Sequence, residues 1–248
     1  MKHFFSIIGG MGTIATESYV RLINHRVKIK RDQDYLNYIL VNDAQVPDRT
    51  AYIKDHSQPN FFNDLKADVE GQALLHPDFF VMPCNTAHYF YDDLAELTDI
   101  PFLHMMRIAV HNFIENYPDE KKIGLIATEG SIFDHLYEDE IHAVGREVEF
   151  GGPEIQPMVT ELIYRDIKEK GVVDHDLYHK ILQTMHDKYG CNVILLGCTE
   201  LSLAQEKAPD HPYHVIDPQS IIADVSIELA LKIRAGKDPQ EVISKYMY

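Results

Sequence analysis

Two of the three cysteines, Cys84 and Cys198, occupy the same kind of place in the chain. Each ends an apolar run, Phe80-Val81-Met82-Pro83 in one case and Ile194-Leu195-Leu196-Gly197 in the other. Each is followed by residues suited to start a helix, Asn85-Thr86 and Thr199-Glu200. A thiol at a helix N-terminus meets the positive end of the helix dipole, which favours the thiolate. In open α/β sheets, ligands bind outside the carboxyl ends of the strands. The chemistry indicated is thiolate chemistry at a strand-end cleft. A single free cysteine is more often a small buried hydrophobe, so one motif decides nothing; an equivalent pair favours function. Cys191 is the internal control. It lies seven residues before Cys198, about 23 Å away along a strand at roughly 3.3 Å per residue, towards the opposite end of the sheet.

The elements that must position these thiols follow from periodicity. Short β-branched or aromatic runs predict strands over 3–8, 38–42, 79–83, 123–127, 148–150 and 192–196. Segments of helical period predict helices over 13–30, 61–75, 86–97, 133–144, 159–170, 174–189 and 218–235. The segment from Asp174 is the clearest: Asp174 can cap it, Leu177, Ile181, Leu182 and Met185 share a face, and Gly190 stops it. Val193-Ile194-Leu195-Leu196 is apolar on both faces, as a parallel strand covered by helices must be. The class is α/β.

The chain also echoes itself. Phe5-Ser6-Ile7-Ile8-Gly9-Gly10-Met11-Gly12-Thr13 reads like Ile123-Gly124-Leu125-Ile126-Ala127-Thr128-Glu129-Gly130-Ser131, an apolar strand running into a turn with glycine and then a hydroxyl residue. The two cysteine segments form a second pair. Ile100-Pro101-Phe102-Leu103 and His211-Pro212-Tyr213-His214-Val215 form a third, in the same order and at nearly the same interval. Three ordered pairs indicate duplication. We expect two similar lobes, each a mainly parallel sheet flanked by helices, related by a pseudo-twofold. One lobe would comprise residues 1–103 plus 213–248, the last helix returning to it, and the other 104–212, with the site in the cleft between.

Other candidates were weighed against plainer readings. Gly10-Met11-Gly12-Thr13-Ile14-Ala15 fits a dinucleotide-binding glycine pattern, but such turns serve any anion at a helix start. Asp43, where a ribose-binding acid would stand, is followed by Ala44-Gln45-Val46-Pro47-Asp48-Arg49-Thr50, which reads as a polar loop and not a helix. Carboxylate binding is therefore favoured over NAD. Arg49 in that loop can fork onto a carboxylate; pairing with Asp43 or Asp48 at the surface is the equal alternative. His175 and His179 share a helix face among polar residues and read as solvated, so no metal is expected.

Composition narrows the partners. Of 248 residues, 23 are Lys or Arg and 39 Asp or Glu, a formal net charge of −16, against nucleic-acid or anionic-membrane binding. Three cysteines without a CxxC pair argue against a disulfide framework or structural zinc. The N-terminal apolar run is too short for a secretory signal and breaks at Gly9-Gly10. No stretch reaches membrane-span length. A cytoplasmic protein is the expectation.

Gly9-Gly10-Met11-Gly12, Asn42-Asp43 with Pro47-Asp48-Arg49-Thr50, Pro83-Cys84-Asn85-Thr86-Ala87-His88, Ile126-Ala127-Thr128-Glu129-Gly130 and Leu196-Gly197-Cys198-Thr199-Glu200-Leu201 together resemble the aspartate/glutamate racemase family. The resemblance runs in order from the N-terminus to the last helix. It implies two α/β lobes, no cofactor and a homodimer. It implies Cys84 and Cys198 as the two catalytic bases and Arg49 as the ligand of the substrate's side-chain carboxylate. Asn85, Thr86, Thr128 and Thr199 would bind the α-carboxylate or amino group, and Met11 and Glu200 complete the substrate-binding set. A cleft lysine of the family follows an apolar stretch like Leu162-Ile163-Tyr164. Lys168 is the choice here, with Arg165 and Lys170 close by. Thr13 stands where family members often carry proline.

The chemistry fits. Racemising an amino acid without pyridoxal phosphate needs two groups on opposite faces of one carbon, one starting deprotonated and one protonated. Two cysteines from equivalent lobes suit that demand, and Arg49 and Lys168 would supply positive charge that the overall balance lacks. Two other classes stay open: a nucleotide-dependent oxidoreductase using the glycine turn, and a non-catalytic two-lobed binding protein. Related cysteine chemistry, such as hydantoin racemisation, maleate isomerisation or arylmalonate decarboxylation, is a further alternative. One methylene of cleft depth separates aspartate from glutamate, and sequence does not reveal it.

Overall fold

The structure is a computed structural model describing residues 1–247. Seven parallel strands form two sheets. The first half runs β1 (Phe5–Gly9), α1 (Thr13–Arg26), β2 (Tyr38–Asn42), α2 (Arg49–Lys54), α3 (Phe62–Ala73) and β3 (Phe80–Val81). A 3-10 segment, Thr86–Phe90, then leads into α4 (Tyr91–Ala95). The second half runs α5 (Met105–Asn116), β4 (Lys122–Ala127), α6 (Glu129–Phe133), α7 (Glu138–Ala143), β5 (Glu147–Glu149), α8 (Gly152–Thr160) and a π-helical continuation, Glu161–Glu169. It continues through α9 (His175–Asp187), β6 (Val193–Gly197), α10 (Thr199–Lys207), β7 (His214–Ile216), α11 (Pro218–Arg234) and α12 (Pro239–Ile243).

The sheets carry the duplication. One has the order β2-β1-β3, and Phe102 adds a parallel bridge to Phe80 beyond β3. The other has the order β5-β4-β6-β7. The bridge at Phe102 thus stands where β7 stands in the second copy, as the third sequence pair requires. Side chains alternate as strands dictate. Phe5 and Ile7 enter a core with α1, α5 and α11, while Ile8 joins the opposite core with α2, α3 and α4. In β6, Val193 and Leu195 face one core and Ile194 and Leu196 the other. Apolar strands covered on both faces explain why both sheets are parallel.

The structure departs from the sequence expectations at several points. Residues 49–54 are helical, so Arg49 opens a helix where a loop was expected; the Asp48 side chain caps it by accepting from the Ala51 N–H at 2.8 Å. The helix expected over 133–144 is two short ones, broken at 134–137. The one expected over 159–170 begins earlier, at Gly152. β7 pairs with β6, so residues 214–216 belong to the second sheet and not to the first lobe, where a boundary at 213 would put them. Helix α5 belongs to neither side alone: Met105 and Ile108 pack in the first core, Met106, Val110 and Phe113 in the second. The Asp174 cap of α9 is present, accepting from Leu177 N–H at 2.9 Å. Among the described residues no helix is long and apolar enough to cross a membrane.

Candidate active site

Each sheet delivers one thiol. After β3 the chain turns at Met82-Pro83, the Cys84 N–H donating to the Met82 carbonyl at 2.8 Å, and Asn85 starts the 3-10 segment. After β6, Cys198 is the N-cap residue of α10. Both thiols are buried and line one pocket together with Met11, Asp48, Arg49, Thr50, Asn85, Thr86, Thr128, Tyr164, Lys168, Thr199 and Glu200. The ten residues singled out from the sequence therefore share one cavity. Cys191 sits before β6, at the other end from Cys198, against Gly124.

Local folding explains how they converge. Gly10 adopts φ +98° after β1, and a Cβ there would lie 2.4 Å from the Asp43 carbonyl carbon. Only glycine lets this turn lie against the end of β2, and the turn brings Met11 to the pocket. Thr16 ties it down, accepting from Gly10 N–H at 3.0 Å and donating to the Gly12 carbonyl at 2.9 Å. Arg49 is held by its own loop: Nη1 donates to the carbonyls of Val46 at 3.2 Å and Pro47 at 2.9 Å. Among the described residues it has no ion pair, so the expected alternative of a partner at Asp43 or Asp48 is not adopted. Helix α2 then meets α6 across the cleft. At Gly130 a Cβ would come within 2.8 Å of Thr50 Cα, and Lys54 pairs with Glu129.

The choice of lysine is decided by helical pitch. Lys168 turns into the pocket, its Nζ 4.4 Å from the centre of the Tyr164 ring and 3.9 Å from Glu200 Oε1. Arg165 pairs instead with Glu161 and Asp166, and Lys170 with Asp166. Between the lobes, Thr86 and Thr128 are 3.0 Å apart through their hydroxyls, and Ser131 lies 3.2 Å from Thr86 and 3.0 Å from Thr128. Ser131, Tyr164, Asp48 and Thr50 were not singled out from the sequence. Ser131 had a signal, the hydroxyl after the second glycine turn; Tyr164 had none beyond the apolar stretch it belongs to.

The two thiols differ electrostatically. Burial pushes the Cys84 thiol up and Glu200 adds a little to this, while Arg49, the Ala87 backbone N–H and, most weakly, Lys168 pull it back. Burial pushes Cys198 up further, and the Glu200 carboxylate adds to this. Cys198 Sγ donates to Glu200 Oε2 at 2.9 Å, a bond made only by the thiol. For Lys168, burial opposes the ammonium, but Glu200, Cys198 and Tyr164 together outweigh it and the net movement is upward. Lys168 therefore keeps its proton more firmly than a free lysine, and burial favours the thiol form of both cysteines.

The chain is thus a duplicated α/β protein with one buried thiol from each half, lining a pocket that also holds Arg49, Lys168, Asp48 and Glu200. Residues 8–225 match the family model described as Asp/Glu/Hydantoin racemase. The chain belongs to that family and is an amino-acid racemase. It is 25% identical over 235 residues to the broad specificity amino-acid racemase RacX of Bacillus subtilis (strain 168), covering 91% of this chain and 97% of the relative. The fold is that of the Picrophilus torridus aspartate racemase, with TM-score 0.74 at 22% identity over 96% of this chain and 97% of the other. The glutamate racemase of Francisella tularensis superposes with TM-score 0.61 at 19% identity, over 93% and 81% of the two chains.

Proposed function

We propose that the protein racemises an acidic amino acid, aspartate or glutamate, by two-base proton transfer between Cys84 and Cys198 without an added cofactor. The observation that carries this reading is a single pocket lined by a thiol from each lobe together with Arg49 and Lys168. Arg49 would fork onto the side-chain carboxylate. The hydroxyls and amide of Asn85, Thr86, Thr128 and Thr199 would hold the α-carbon's own substituents. One cysteine, as thiolate, takes the α-proton from one face; the other, as thiol, returns a proton to the opposite face. Their roles exchange with substrate handedness, and their titration belongs to the pair.

Abstracting a poorly acidic α-proton builds negative charge on the α-carboxylate. Fixed cations and N–H or O–H donors stabilise that charge best in a pocket where water is scarce. Substrate binding itself would prepare the base, because the substrate ammonium brings a positive charge beside the thiols and favours the thiolate. Glu200 keeps the proton on Cys198, so Cys84, with Arg49 beside it, is the thiol deprotonated first.

A wider substrate range is the second reading. Asp48 and Glu200 line the same pocket as Arg49 and Lys168, which leaves its formal charge balanced, and RacX is described as broad in specificity. The deciding experiment supplies both enantiomers of aspartate, glutamate, alanine, serine and lysine, and follows optical rotation and α-proton exchange in heavy water. Turnover confined to the acids supports the first reading, turnover across the panel the second. No exchange with any amino acid rejects both. The same reading carries a cytoplasmic homodimer, in keeping with three unpaired cysteines.

A further inference from the structure

Asn85 is one of the pocket's most deeply buried polar residues, 1% exposed, and only half of its amide is satisfied. Its Oδ1 accepts a hydrogen bond from the Tyr137 hydroxyl, whereas Nδ2 is buried with no partner among the described residues. Unpaired buried amide donors are rare, because each forfeits its hydrogen bonds to water without replacement. A pocket-lining group in that condition is completed by its ligand.

Tyr137 comes from the other lobe. It lies in the break between α6 and α7, at the N-cap position of α7, with its ring in the core formed by Met106, Val110, Leu125 and Ile141. The ring is fully buried, and the hydroxyl reaches out of that core to a residue carried by the first lobe. Burial holds the phenol well above its usual range, so the hydroxyl keeps its hydrogen at all working pH values. That hydrogen needs an acceptor, and among the described residues Asn85 Oδ1 is the one it has. The alternative amide orientation would set Nδ2 against the hydroxyl, strand the phenolic hydrogen and turn a bare carbonyl oxygen to the pocket. The arrangement present satisfies the hydroxyl and leaves two N–H donors for an incoming group.

We propose that Tyr137 is a positioning residue that fixes the orientation of the Asn85 amide, and thereby commits this part of the pocket to a carboxylate of the substrate and not to its ammonium. The proposal rests on the racemase reading above for the identity of the ligand; the orientation of the amide does not. It also gives the pocket a link across the lobes, since the donor that meets the substrate is carried by one sheet and aimed from the other.

The experiment uses Tyr137→Phe, Asn85→Ala and the double variant. With L-aspartate as probe, Tyr137→Phe is expected to raise KM roughly tenfold while kcat stays within about threefold, because the amide is freed to turn but the thiols are untouched. In the Asn85→Ala background the same change should add nothing, since Tyr137 acts through Asn85. An unchanged KM in Tyr137→Phe, or an equal effect of the substitution with and without Asn85, overturns the proposal. A readout independent of turnover separates this from failure of the racemase reading. The Asn85 side-chain amide resonances in 15N-labelled protein, identified by their loss in Asn85→Ala, should move in Tyr137→Phe. If they do not, the amide is held by something else and the proposal falls, whether or not aspartate is a substrate.

Discussion

His88 donates from Nδ1 to the carbonyl oxygen of Cys84 at 2.8 Å and accepts the Met105 N–H at Nε2 at 3.2 Å. One neutral imidazole thereby ties the backbone of a site cysteine to the first turn of α5. Both ring nitrogens are committed in opposite senses, which fixes the tautomer, and burial opposes a second proton. Burial holds the pKa of His88 down at about 4, and that of neighbouring His104 at about 2.

These depressed values set a pH dependence of stability. Unfolded histidine titrates near 6.5, so below that pH the unfolded chain takes up protons that the folded chain refuses. The stability owed to these two histidines is full above about pH 7 and falls with pH from there towards 4. For His88 alone the loss between pH 7 and 5 is about 2 kcal/mol. Urea melts across this range should show the decline, and His88→Gln, which can imitate the neutral ring's bonds, should flatten its slope. The same slope in His88→Gln as in the wild type would refute the assignment.

The cysteines are tested by single substitution. Cys84→Ser and Cys198→Ser should each abolish net racemisation, because serine supplies no useful base at neutral pH. α-Proton exchange in heavy water should persist for one enantiomer in one variant and for the opposite enantiomer in the other. Full racemisation by either variant, or the same enantiomer preference in both, argues against two bases. Cys191→Ser should leave activity near wild type, with at most a modest loss of stability.

Glu200 should control which thiol holds the proton. Glu200→Gln removes a negative charge that disfavours the Cys198 thiolate, so that thiol should ionise at lower pH. In a background lacking Cys84 and Cys191, alkylation of Cys198 at pH 8 should run roughly tenfold faster with glutamine at position 200. An unchanged or slower rate would mean that burial alone sets this thiol.

Arg49→Ala should cost about 2–4 kcal/mol in kcat/KM for the acids, with Arg49→Lys intermediate because charge survives but the fork does not. Near wild-type kinetics for Arg49→Ala would remove Arg49 from recognition.

Activity should withstand exhaustive dialysis, chelator and hydroxylamine. Loss that is restored by pyridoxal phosphate, a nucleotide or a metal ion would exclude the two-thiol scheme.

The two lobes and their thiols were legible because duplication writes the same strand-turn pattern twice, and chance does not repeat it in order. Lys168 was legible only as one of three cations within six residues, since the direction a side chain takes depends on helical phase; the π-helical turn that carries it is not encoded in any simple period. Helix α5 escaped notice for the opposite reason. It is wedged between two cores, so Met105, Met106, Ile108, Ala109 and Val110 are all buried and its apolar face is broad, not a single narrow stripe. Tyr137 and Asn85 are joined through space alone, and nothing in the intervening chain signals the bond.

The unequal neighbourhoods of the thiols, Glu200 beside Cys198 and Thr86 at the matching position after Cys84, meet a limit that no side chain can evade. Enantiomers in water have the same free energy, so their equilibrium constant is one. The kcat/KM values for the two directions must therefore be equal, however lopsided the site. Glu200 is left free to alter only how that common ratio divides into turnover and saturation. The handedness that gives up its proton to Cys84, the sulfur deprotonated first, can turn over faster only if it also saturates later. In this protein, asymmetry in the machinery can set the poise of the enzyme between two mirror-image substrates but never the mixture it leaves behind.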